Sequence, residues 1–227
     1  MSEVDIILLS AKVALAAILF ALPPAFAVAW LLARRRFAGR GLLQALVTLP
    51  LVLPPVATGY GLLLLFGGQG PLGRLMENFL GLTFAFRWTG AALAAGVMAF
   101  PLLVRPIRLS LEAVDRGLED AAATLGARRV TVFFTVTLPL ALPGLVAGAV
   151  LGFAKALGEF GATITFVSNI PGETQTLSLA IYALLQSPGA EPAALRLILV
   201  SVLLALGAVL VSEWAGRLVR RGSDGRA

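Results

Sequence analysis

Five stretches of this chain run without a charge for about as long as a bilayer is thick, and this constrains the fold before any motif is read. Lys12 and Arg34 enclose 21 uncharged residues, Arg40 and Arg74 enclose 33, and Arg87 and Arg105 enclose 17. Arg129 and Lys155 enclose 25, and Arg196 and Glu213 enclose 16, extended upstream by Ala193, Ala194 and Leu195. An α-helix rises about 1.5 Å per residue, so roughly 20 apolar residues cross the hydrocarbon core. The chain is 59% hydrophobic and 13% charged, with a mean hydropathy of +0.93. A soluble domain carries about a quarter charged residues, and one core in 227 residues could not hide so much apolar surface. The predicted fold is therefore all-α: a polytopic membrane bundle with transmembrane helices near 10–33, 42–66, 88–107, 139–160 and 193–214. No separate soluble domain fits.

Orientation follows from the basic residues, which favour cytoplasmic loops. The 34–40 loop holds four arginines, the 105–129 region five and the tail (Arg217, Arg220, Arg221, Arg226) four, together 13 of the 18 basic residues. Five crossings put all three groups on one side. That side is read as the cytoplasm, with the N-terminus periplasmic and the C-terminus cytoplasmic. The opening residues, SEVD, are acidic where a signal peptide is basic, and the apolar run is too long for one. The first helix is read as uncleaved. A weaker apolar region from Phe160 to Leu185 is interrupted by Ser168, Asn169, Pro171, Gly172 and Glu173. If it crossed alone, the arginine-rich tail would face outward. Residues 160–190 are therefore expected to form a re-entrant or surface element on the outer side, which needs protein or a watery cavity around its irregular backbone.

The chain has no cysteine and no histidine. A disulfide framework, a thiol nucleophile, a Cys/His zinc site and a Ser-His-Asp triad are all excluded. The scattered acidic groups give no carboxylate metal cage. No metal, cofactor or catalytic site is expected. The net charge of +6 reflects cytoplasmic loops and not nucleic-acid binding. Gly68-Gln69-Gly70-Pro71-Leu72-Gly73 matches G-x-G-x-x-G but follows a membrane helix, without the βαβ context of a dinucleotide site. It is read as a flexible outer loop. No P-loop sequence occurs, so this chain cannot bind ATP by a P-loop.

The prolines Pro23, Pro24, Pro50, Pro54, Pro55 and Pro101 are expected to interrupt membrane helices, the 50–55 cluster most of all. Gly144, Gly148 and Gly152 recur at i, i+4, i+8, a small-residue stripe for close packing within the chain or between two copies. Lys155 and Glu159 follow on the same face. Ionisable groups at membrane depth are costly and mark ion pairs or transport pathways. Gly158 and Gly161 beside them permit a kink.

The stretch EAVDRGLEDAAATLGARRVTVFFTVTLPLALPG, which covers nearly all of a cytoplasmic loop placed at 111–138 and the start of the next helix, is the most informative. Val114, Leu118, Ala121 and Leu125 recur at helical spacing, which predicts a short amphipathic helix. Gly126 stands where a C-capping glycine belongs, and the 121–123 alanines would let another backbone approach. Such a helix could equally lie on the bilayer. The stretch resembles the E-A-A-x₃-G-x₉-I-x-L-P motif of ABC-transporter permeases: Asp120-Ala121-Ala122, Gly126, then Val136, Leu138 and Pro139 at the motif's spacing. Asp replaces Glu and Val replaces Ile. The resemblance implies the type I ABC importer permease fold, in which this loop is the coupling helix that docks in a cleft of the ATPase subunit. Its residues here are Glu119, Asp120, Ala121, Ala122, Gly126, Leu138 and Pro139.

A narrower resemblance covers nearly the whole chain. LPLVLPPVATGY, FAFRWTGAALAAGVMAFPLLVRPIRLSLEAVD and ALGEFGATITFVSNIPGETQTLSLAIYALLQSPG are similar to the short bacterial molybdate permeases. Sulfate permeases share the loop and much of the GEFGA run, and are usually longer. The resemblance implies a homodimer of this permease in the bacterial inner membrane, two ATP-binding cassette subunits, and a periplasmic molybdate-binding protein. Lys155, Gly158, Glu159, Gly161, Thr163, Ser168 and Asn169 are the candidates for pathway or gate. Sulfate, thiosulfate and tungstate remain alternative cargoes, since tetrahedral dianions look alike. An ion-coupled secondary transporter, the reading from another class, would need inverted repeats and more membrane carboxylates than Glu159.

Overall fold

The structure, a computed structural model, describes residues 2–224, with side chains described through Val211. The side chains of Arg217, Arg220 and Arg221 and of the last three residues of the predicted 193–214 span lie outside what is described, as does the whole of Arg226. The described residues form helices and no strand: α1 (Glu3–Arg34), α2 (Arg40–Val52), α3 (Pro55–Phe66), α4 (Pro71–Leu80), α5 (Trp88–Ala113), α6 (Arg116–Thr124), α7 (Arg129–Val132), α8 (Leu138–Leu157), α9 (Gly161–Val167), α10 (Leu177–Leu185) and α11 (Glu191–Asp224). A π-helical turn, Phe133–Thr137, joins α7 to α8, so that Arg129–Leu157 reads as one 29-residue span.

Among the described residues four helices, α1, α5, the α7–α8 span and α11, are long and apolar enough to cross a membrane. The fifth predicted crossing, 42–66, is not one helix. It is the pair α2 and α3, bent by 114° between Val52 and Pro55. Pro54 caps α3 and Pro55 opens it. Two consecutive residues without N–H donors cannot continue the hydrogen-bond ladder of α2, and Pro55 disfavours helical geometry at Pro54. The other prolines behave differently. Pro23 and Pro24 stay inside α1, and Pro101 inside α5, without ending either helix. Each removes one ladder bond, but the bonds on both sides and the neighbouring helices keep the axis going. Pro139 acts one turn upstream. It cannot donate to the Thr135 carbonyl, and the ladder there widens into the π turn, whose closing bond runs from the Leu138 N–H to the Phe133 carbonyl.

The centre of the bundle is built from small residues. α1 and α5 meet through Ala14, Ala17, Ala91, Ala94 and Ala95, all buried. Lipid tails are as apolar as the side chains they would replace, so close backbone approach and dispersion hold such helices together. Gly144, Gly148 and Gly152 pack on α5. A Cβ at Gly144 would lie 2.4 Å from the Pro106 carbonyl oxygen, and one at Gly148 would lie 3.0 Å from that of Leu103. The stripe is thus filled within the chain, and its order shows α8 running antiparallel to α5. Lys12 lies over the Trp88 ring, and Arg196 of α11 pairs with Glu3 of α1 at 2.8 Å. So α1, α5 and α11 all begin at one face of the bundle, called here the N-terminal face. The 34–40 and 105–129 arginines lie at the opposite face.

The 68–73 segment is a tight turn rather than a flexible loop. The Gly70 N–H donates to the Gly67 carbonyl at 2.8 Å, and buried Gly73 already belongs to α4, where a Cβ would sit 2.1 Å from the Gly67 oxygen. Gly81, at φ +63°, ends α4.

Candidate functional site

Two regions carry the chemistry, one at each face. At the arginine-rich face, α6 stands clear of the bundle. Asp115 caps it, its carboxylate accepting the Gly117 N–H at 2.8 Å. At its other end the Gly126 N–H donates to the Ala123 carbonyl and the Ala127 N–H to that of Ala122, the paired bonds of a Schellman motif. Gly126 takes φ +87° with open space around it, so the left-handed backbone, not crowding, requires glycine there. Leu118 is 51% exposed and Leu125 89%, with Ala121 and Asp120 also exposed. Val114, grouped with them by spacing, differs: it precedes the cap and is buried against the bundle. The chain turns at Asp115, so one helical period no longer relates Val114 to the rest. Of the remaining loop candidates, Ala122 is half-buried, and Leu138 and Pro139 form the first turn of α8. The 111–138 boundaries also shift, since α5 continues to Ala113 and helix resumes at Arg129.

Glu119 does not face outward with Asp120. Its carboxylate receives two bonds from the Arg34 guanidinium, at 2.8 and 3.0 Å, and one from the Thr137 hydroxyl. Arg34 ends α1 and Thr137 ends the π turn. One half-buried carboxylate thus ties the exposed helix to two membrane helices through a bidentate, charge-assisted pair. Sequence reasoning had grouped Glu119 with the docking residues and missed both partners. Arg34 is 85 positions away, and no local pattern announces such a pairing. The start of α2 is fastened similarly: Arg108 of α5 bonds Glu112 at 2.8 Å and also Gln44.

The second region lies where α8 ends. Glu159 is 2% exposed. It accepts from the Lys155 ammonium and from the Ala162 N–H at 3.1 Å, so it pairs with the cation in the last turn of α8 and caps the start of α9. The Lys155 side chain is about one-third exposed. Gly158 ends α8, and Gly161 lets α9 meet the bend, since a Cβ there would come within 2.7 Å of the Pro55 Cβ. Gly59 is closer still: its Cβ would lie 2.4 Å from the Ala162 oxygen. Gly59 escaped notice because a lone helical glycine carries no signal without its neighbour across the interface. Thr163 is buried in α9.

Beyond α9 the backbone is irregular. Ser168 takes φ +60°, ψ −172°, a conformation that costs a residue with a Cβ about 1–3 kcal/mol. Thr174 holds it: its hydroxyl donates to the Ser168 carbonyl at 2.9 Å and accepts the Ile170 N–H at 2.8 Å. Asn169 donates to the Leu179 carbonyl at 3.4 Å. The Asn169 Oδ1 and the hydroxyls of Thr58 and Thr176 are buried without a hydrogen-bond partner. The Trp88 N–H donates to Glu173, and the Leu177 N–H to the Ser10 hydroxyl at 2.7 Å. Through these bonds the loop is anchored to α1 and α5 near the N-terminal face. Among the described residues no three or more His, Cys, Asp or Glu side chains come together as a group that could hold a metal ion.

Residues 25–221 match the family described as binding-protein-dependent transport system inner membrane components. The chain is 56% identical over 218 residues to the molybdenum transport system permease protein ModB of Escherichia coli, covering 96% of this chain and 95% of that one. The ModB of Haemophilus influenzae is 54% identical over 219 residues, 96% of each. The sulfate transport system permease protein CysT of Salmonella typhimurium is 38% identical over 195 residues, 85% of this chain and 70% of that one. Among solved structures, a chain of the MetNI methionine ABC transporter superposes with a TM-score of 0.71 at 18% identity, covering 96% and 99%. A chain of a bacterial ABC transporter for alginate import gives 0.72 at 20%, covering 96% and 80%. The fold is that of type I ABC importer permeases.

Proposed function

Because the chain belongs to the family of binding-protein-dependent transport system inner membrane components, we propose that it is the membrane subunit of an ATP-driven importer for the molybdate oxyanion. The observation that carries the cargo is the identity to two molybdenum permeases, 56% and 54% along nearly the whole chain, against 38% to a sulfate permease. Two copies form the pathway about a two-fold axis. Two ATP-binding cassette subunits hydrolyse ATP, and a periplasmic binding protein delivers the anion. The arginine-rich face is cytoplasmic and the N-terminal face periplasmic, because basic residues collect on the cytoplasmic side. The whole chain is one transmembrane domain.

In this reading the exposed Leu118, Ala121 and Leu125 surface is the one the ATPase grips. The Glu119 carboxylate passes its movement to α1 through Arg34 and to α8 through Thr137. ATP can only shift the helices by as much as the ATPase favours one arrangement over the other. The α2–α3 bend, α9 and the Ser168–Thr176 loop are the gate elements. Their orphaned hydroxyls and the partly exposed Lys155 side chain are the polar groups a dianion would meet in a low-dielectric passage.

Reconstitution with a cognate ATPase and binding protein tests this. Uptake of molybdate into vesicles should require ATP and both partners, and should resist excess sulfate. Uptake driven by a proton or sodium gradient without ATPase would replace the proposal with a secondary transporter. Equal uptake of sulfate would move the cargo to the broader oxyanion class.

A further inference from the structure

A groove of about 540 Å³ runs between α1 and α5 and meets the second region only at Trp88. Its floor is formed by small residues, Ala17, Ala92 and Gly96, and its lining is almost wholly apolar. The single hydroxyl in the lining, that of Thr89, is already donated to the Thr83 carbonyl at 2.7 Å. Nothing inside the groove can bind a polar ligand. One end differs. The exposed Lys12, one turn above the lining residue Ala16, sets its ammonium 3.8 Å from the centre of the Trp88 ring. Arg87, also exposed, precedes Trp88 in the chain.

The lining reaches Pro24 on α1 and Phe100 on α5. Each lies twelve positions beyond the Lys12–Trp88 contact, so the groove descends about 18 Å along two parallel helices. That is close to one leaflet, half of a hydrocarbon core of about 30 Å. A single hydrocarbon chain has the right section and length.

We propose that this groove binds one acyl chain of an anionic phospholipid, with its phosphate held by Lys12 at the N-terminal face. The tail fills space that water would not enter, and the headgroup meets a cation already positioned by an aromatic ring. Bound there, the lipid would wedge the α1–α5 seam on its membrane side.

Native mass spectrometry of the purified transporter, titrated with phosphatidylglycerol and with phosphatidylcholine of matched chains, tests the proposal. Phosphatidylglycerol should bind more tightly by roughly five-fold, the worth of one lysine near an anionic headgroup. Lys12→Ala should erase the preference and Lys12→Arg should keep it. Ala16→Phe should remove the phosphatidylglycerol adduct by filling the groove, and Ala16→Leu takes its place should the larger residue prevent assembly. Equal binding of the two lipids, a preference that survives Lys12→Ala, or an adduct indifferent to a filled groove would each overturn the assignment. So would the absence of any adduct, as when a second copy of this chain covers the groove.

Discussion

The Lys155–Glu159 pair shows how burial sets the weight of a single residue. The Glu159 side chain is almost fully buried while that of Lys155 is about one-third exposed, so the two partners are not equivalent. Lys155→Ala strands an ionised carboxylate in the protein interior. Breaking a buried pair from one side costs about 3–5 kcal/mol, and the partial exposure of Lys155 places this case near the lower end. The double variant Lys155→Ala with Glu159→Gln keeps an acceptor for the Ala162 N–H and removes the stranded charge. It should recover most of the expression and thermal stability lost in Lys155→Ala, as read by melting of the purified protein. Uptake then separates roles. A double variant that melts normally but transports poorly makes the ammonium part of the pathway, and one that transports normally makes the pair structural. Two single variants that both melt and transport like the parent would refute a role of either kind.

At the scale of the element, α6 is a short helix held by its ends and by one side chain. Gly126→Val forces a β-branched residue into left-handed backbone, at a cost of about 1–2 kcal/mol. Since nothing surrounds Gly126, the damage should stay within the α6 cap. The expected outcome is a permease that still inserts and no longer co-purifies with its ATPase; normal assembly and uptake would remove α6 from the coupling role. Glu119→Gln asks a different question. The glutamine can accept one bond from Arg34 and leaves that largely buried guanidinium uncompensated, without touching the exposed surface. ATPase binding should therefore survive while stimulation of hydrolysis by the loaded binding protein falls several-fold. Loss of assembly in this variant would place Glu119 in the docking surface itself, where the sequence had put it.

For the whole molecule, the shared starting face of α1, α5 and α11 makes a prediction about sides. A cysteine at Ser168 and one at Leu125 should react with a membrane-impermeant maleimide from opposite sides of oriented vesicles. The chain has no native cysteine to confuse the result. Ser168 should label from the periplasmic side. Labelling of both from one side would break the five-crossing topology, and exchanged sides would invert it while leaving the bundle intact.

Charge-free runs announced the membrane bundle because lipid tolerates neither unpaired backbone nor stray charge, and that constraint acts residue by residue along the chain. The capping glycine of α6 was legible for the same reason: Gly126 answers to its own φ angle. The proline cluster marked the bend, but its 114° angle depends on what α3 packs against, namely α9 through Gly59 and Gly161. Helix α4 went unseen because Arg74 and Glu77 break its apolar pattern. The partners of Glu119 and the turn that separates Val114 from Leu118 were likewise hidden, because contacts across 18 or 85 positions leave no period to read. Local backbone and solvation preferences are written in the sequence, whereas pairings between distant helices exist only once packing has brought their faces together.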